Sequence, residues 1–173
     1  MPPTVNTSIL YPVIRAELIE MAHVDQEMRR EADSDPAKWI PEVDRSNTAR
    51  LKEIIDQIGW PTRSKVGAQA SYAAWLLAQH ADLDRPFQER TLSLMSEFSS
   101  SEVDPQNIAY SEDRVLVAQG KPQTFGTQYR LVDGSVEPFP IHSESQVDER
   151  RIAIGLPPLA QYLYLERGRR VKS

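Results

Sequence analysis

From Val66 through Ala81 the chain reads V-G-A-Q-A-S-Y-A-A-W-L-L-A-Q-H-A, with no charged residue. In helical geometry that is about four turns apolar on nearly every side, too short for the roughly 20 residues a membrane helix needs. A helix without a polar face has to be surrounded by protein. The run therefore predicts a third helix, roughly Ser64 to Ala81, as the buried centre of a small, mainly helical domain. Gly67, Ala70, Ala73 and Ala74 would let neighbouring helices approach closely. At its end stand Gln79 and His80, followed by Asp82 and Asp84.

The flanking segments supply the helices that would surround it. Ile14, Leu18, Met21 and Met28 recur at helical spacing from about Ser8 to Glu31, with one gap, Asp25, where the stripe calls for an apolar residue. Asp33 to Pro41 reads as a loop broken by Pro36 and Pro41, with Trp39 and Ile40 tucked under it. A second helix over about Asp44 to Ile58 carries Leu51, Ile54, Ile55 and Ile58 and stops at Gly59, with Pro61 close behind. Further helices are expected over Pro86–Phe98, from an Asp104 N-cap to near Gly120, over Gln146–Ile154 and from Pro157 to about Glu166. Ala109, Asp113 and Leu116 share a face of the fifth, so Asp113 is a second carboxylate at a core-facing position. Between residues 123 and 141 the period falls from 3.6 to 2 around Asp133-Gly134, a β-hairpin signal whose second arm is weakened by Pro138 and Pro140. The expected architecture is one domain over residues 1–173, a bundle of six to seven helices with one hairpin, ending in a solvated basic tail at 167–173.

Composition removes whole classes of chemistry. The 173 residues include no cysteine, so disulfides, thiol nucleophiles, iron–sulfur clusters and thiolate zinc sites are excluded. A formal net charge of −5 argues against a nucleic-acid footprint. The first residues, Met1-Pro2-Pro3-Thr4-Val5-Asn6, lack the basic and apolar regions of a secretory signal, which leads to the expectation of a cytoplasmic protein. Phosphate-binding glycine loops and a serine nucleophile elbow are absent. His23-x-Asp25 and His80-x-Asp82-x-Asp84 offer metal-ligand types, but residues two apart on a helix do not converge, so the reading carries no metal and no cofactor.

The segments G59-W-P-T, A74-W-L-L-A-Q-H-A-D, G120-K-P-Q-T-F-G-T-Q and E149-R-R-I-A-I-G-L, together with V66-G, F87-Q and D113-R, resemble a bacterial domain-of-unknown-function family. Its members carry a Gly-Trp-Pro turn, a Gln-His-Ala-Asp helix end and a Tyr/Phe-Gly-Thr-Gln strand, and the similarity runs from about Leu18 to Leu163. The resemblance implies a shared fold and a small cytosolic character, and no particular activity.

Polar residues inside apolar runs mark the candidate site, because buried polar groups need partners and one pocket would satisfy several together. His80 is the leading catalytic candidate, a side chain able to exchange a proton in the physiological range, and Asp25 or Asp113 would orient it. Gln79, Gln88, Gln123, Thr127, Gln128 and Arg114 are the candidate substrate-binding residues. Against this stands an architectural reading: His80 a satisfied core histidine, and Asp25 and Asp113 each half of a buried ion pair with Arg29, Arg114, Arg150 or Arg151. Trp60, Trp75 and Tyr110 read as core. The function expected is a small enzyme acting on a small molecule or peptide by His-based acid–base chemistry, whether hydrolysis, elimination or cyclisation. The alternative is a non-catalytic binding or immunity-type accessory protein using the same pocket or the acidic surface. Oligomeric state is open, and neither nucleic acid nor membrane is expected as a partner.

Overall fold

The computed structural model describes residues 9–170 and is mainly helical, with eight helices and a two-stranded antiparallel hairpin among them. In chain order these are α1 (Pro12–Ser34), α2 (Pro41–Ile58), α3 (Arg63–Val66), α4 (Ala68–Gln79), α5 (Arg85–Ser96), α6 (Pro105–Ala118), β1 (Tyr129–Val132), β2 (Ser135–Pro138), α7 (Val147–Ala153) and α8 (Leu159–Arg170). They gather into two compact units. The first runs to Leu83 and includes Glu97–Val103; the second holds Asp84–Ser96 and everything from Asp104 onward. The residues before 9, including the expected start of the first helix, and Lys172 of the basic tail lie outside the described residues.

In the first unit α4 packs against α1, α2 and α3. Eight of its twelve residues are buried, Ala70, Ala73, Ala74 and Leu77 among them, as the charge-free run requires. The expected third helix is nevertheless two. Gly67 sits between them at φ +81, where a Cβ would collide with the Arg15 guanidinium, which reaches in to donate to the Val66 carbonyl at 3.3 Å. That break accounts for the eighth helix. The Gly59-Trp60-Pro61 turn ends α2, and Trp60 is almost wholly buried under it. Trp39 and Ile40 correct the expectation of side chains tucked under a loop, since both are substantially exposed, Trp39 at 40%.

In the second unit α5 packs on α6, α8 on β2 and α7 on α8. Val147, Leu159 and Tyr162 form a core, with Tyr129, Ile141 and Leu163 against it. The hairpin pairs Tyr129 with Pro138 through Val132 with Ser135, so it is shorter than its sequence signal. Residues 124–128 are not strand, because the Thr124, Phe125 and Thr127 amides are turned onto a side chain of α6 and the Gln128 amide onto the Gln123 side chain. None of the described helices is long and apolar enough to cross a membrane.

Candidate functional site

The candidate residues fall into two hydrogen-bonded clusters, one within each unit. In the first, the Asp25 gap in the α1 stripe faces the end of α4. Asp25 is 0% exposed, and its Oδ2 lies 2.8 Å from His80 Nδ1. Gln26 donates to the same oxygen at 2.8 Å, and Arg29 Nε, one turn on, donates to both carboxylate oxygens at 3.1 and 3.2 Å. The other end of that guanidinium donates to Asp44 Oδ1 at 2.7 Å, so one arginine holds two buried carboxylates. Arg29 also lies 4.8 Å from the ring centroid of Trp39.

Electrostatics separates the two carboxylates. Burial pushes Asp25 up, but the hydrogen bond and charge of His80, the Gln26 amide and the Arg29 charge outweigh it, and its pKa is held below the ordinary carboxylate value. Asp44 goes the other way. Burial raises it, Arg29 only partly offsets that, and the charges of Asp25 and Asp82 add to the rise.

An ionised carboxylate can only accept, so the shared proton belongs to His80 Nδ1. Whenever the ring is neutral, its lone pair is then on Nε2. Nε2 has no hydrogen-bond partner among the described residues and is not sealed in, the His80 side chain being 16% exposed. This is the arrangement in which a carboxylate orients a histidine whose far nitrogen can take and return a proton. Gln79, beside it in sequence, is buried.

The second cluster is closed. Asp113, also 0% exposed, accepts from the backbone N–H groups of Thr124 at 2.7 Å, Phe125 at 3.0 Å and Thr127 at 2.9 Å, and from the Thr127 hydroxyl at 2.9 Å. The arginine partner expected for it is replaced by the peptide groups of its own loop. Gly126 makes the wrap possible: its φ is +70, and a Cβ would meet Ile141 and Leu159 at 2.9 Å. Gln123 spends its whole amide within the loop, donating to the Gln128 and Phe139 carbonyls and accepting from the Gln128 N–H, each at 2.9 Å. Gln128 donates to the Thr127 hydroxyl at 3.1 Å and accepts from Arg114 at 3.3 Å. Gln88 is buried on α5.

Sequence reasoning missed Asp44 and the stacking of Trp39 on Arg29, and offered Arg151 only as an ion-pair partner. Asp44, Thr48, Leu51 and Ile55 form a stripe at steps of four, three and four, and Pro41 at the first helical position would have started α2 early enough to show it. Arg151, fully buried, donates to the Pro157 and Phe125 carbonyls at 2.6 and 2.7 Å and lies 4.9 Å from the Tyr162 ring centroid. Burial pulls its pKa down, although it stays a cation. No three His, Asp or Glu side chains converge on a metal position among the described residues. The sequence model of a family of unknown function (DUF6624) matches residues 12–172. No curated protein and no solved structure matches the chain.

Proposed function

The chain belongs to this family of unknown function, and from the site alone we propose that it is a cytosolic acid–base enzyme acting on a small molecule or peptide, with His80 as the proton-transfer group. One observation carries the reading. His80 Nδ1 is fixed at 2.8 Å on a fully buried carboxylate, while Nε2 is left without a protein partner at an accessible edge. In such a site Nε2 takes a proton from water or a substrate hydroxyl as that oxygen bonds to the reacting carbon, the negative charge of Asp25 stabilises the imidazolium, and the same proton goes to the leaving group as its bond to that carbon breaks. Arg29 and Gln26 hold Asp25 in place and so act as positioning residues.

Hydrolysis of p-nitrophenyl acetate is a generic probe of an activated imidazole and tests this without knowledge of the substrate. His80→Gln should lose most of the rate above background with its melting temperature kept, whereas His23→Gln and His142→Gln, which change exposed histidines, should keep it. Equal rates in the parent and His80→Gln would overturn the catalytic reading and favour a protein that binds without turnover.

A further inference from the structure

We propose that the cup between the end of α6 and the exit of β2 is a binding site for a small, flat, apolar carboxylate, of the size of a one- or two-ring aryl acid. It shares no residue with the Asp25–His80 site and does not rest on the reading given for that site. The cup has a volume of about 280 Å³ and is lined by Val117, Gly120, Lys121, Pro122, Phe139 and Pro140. Ligand cavities run from roughly 300 Å³ upward, so this one, just under that bound, limits a ligand to one or two rings and is too small for a nucleotide.

The walls offer a ligand few N–H donors. Pro122 and Pro140 have no N–H to give. The Pro140 carbonyl accepts the Gln123 N–H at 2.9 Å and the Phe139 carbonyl accepts the Gln123 side-chain amide at 2.9 Å. The Phe139 N–H is spent on the Gln128 carbonyl at 3.1 Å, and the N–H groups of Gly120 and Lys121 close the end of α6 on Val117 and Leu116. Arg130 lies 5.8 Å from the centroid of the Phe139 ring. The greater part of the lining is apolar, with two proline rings and an aromatic ring, a surface suited to a flat apolar body.

Charge then selects the head group. The Lys121 ammonium has no hydrogen-bond or ion-pair partner among the described residues, and it is the one ionic group in the lining. A single ammonium matches a monoanion. A phosphate would need several donors that the closed backbone does not supply, and a cation would be repelled. Because the cup is already formed, a ligand of the right shape would not have to order it.

Titration of the full ¹⁵N-labelled chain with 1-naphthoate, its neutral amide 1-naphthamide and acetate, followed by amide chemical shifts, tests the proposal. Naphthoate should shift Val117, Gly120, Lys121 and Phe139, naphthamide should do so more weakly, and acetate should not. Lys121→Gln should weaken naphthoate about two- to fivefold and leave naphthamide unchanged, because only an exposed ionic contact is removed. Val117→Trp should block both by filling the cup. Naphthoate binding equally to the parent and Lys121→Gln, shifts at other residues, or no saturable shifts would each overturn the site.

Discussion

Asp25 and Asp113 are alike in sequence and unlike in structure. Each is a carboxylate set into the apolar face of a helix, and each is completely buried. The donors differ. Around Asp113 three of the four donors are peptide N–H groups of the 124–127 loop, which have no other partner to turn to, and the fourth is the Thr127 hydroxyl, itself buried. Around Asp25 they are side chains, and one of them, His80, has a second nitrogen that nothing in the described protein uses. A buried carboxylate satisfied by backbone holds a loop in place; one satisfied by an imidazole holds a side chain, and with it the direction of the ring's far nitrogen.

The comparison can be broken most forcefully at Asp113. Asp113→Ala strands three N–H groups and a hydroxyl at a cost of about 1 to 3 kcal/mol each, less than additively, so a loss on the order of 5 kcal/mol is expected in urea denaturation. A variant as stable as the parent would show that the loop does not depend on the carboxylate.

Arg29→Met comes next. It leaves Asp25 and Asp44 without their shared cation, at about 3 to 5 kcal/mol near neutral pH. The pH dependence follows from the opposite shifts. Asp44, raised above its ordinary 3.8, weakens the fold while charged, a cost relieved as pH falls through its folded pKa. Asp25, lowered, contributes stability that is present above 3.8 and lost as pH drops through its own lower folded value. In the variant both carboxylates protonate more readily, so the stability gap to the parent should narrow on acidification. A gap independent of pH between 7 and 4 would mean that the two carboxylates do not share the arginine.

The smallest stability effect is expected at His80, the proposed proton-transfer group. His80→Gln should cost under about 1 kcal/mol, since glutamine can still donate to Asp25 and no buried donor is orphaned. A melting temperature lowered as far as that of Asp113→Ala would make His80 architecture.

The apolar run fixed the place of α4 because a helix without a polar face has nowhere to go but inside. The polar gaps at Asp25 and Asp113 were legible for the same reason: helical spacing tells which way a side chain points. Spacing does not tell which donors arrive from elsewhere in the chain. The 123–128 segment alternates like a strand, yet three of its amides bond to Asp113, a contact eleven to fourteen residues away that no local pattern records. Asp44 was hidden by a proline read as a loop residue when it was the first residue of a helix. The Gly67 break depends on Arg15 passing where a Cβ would stand.

The central claim is that Asp25 holds His80 with its proton on Nδ1 and its lone pair on an accessible Nε2. Two-bond ¹H–¹⁵N correlation spectra of the histidine rings read this directly, at a pH where the ring is neutral. His80 should show a protonated Nδ1 and an unprotonated Nε2, unlike the exposed His23 and His142, and Asp25→Asn should abolish the preference with the amide spectrum otherwise kept. A His80 ring protonated on Nε2, or a tautomer indifferent to Asp25→Asn, would contradict the account.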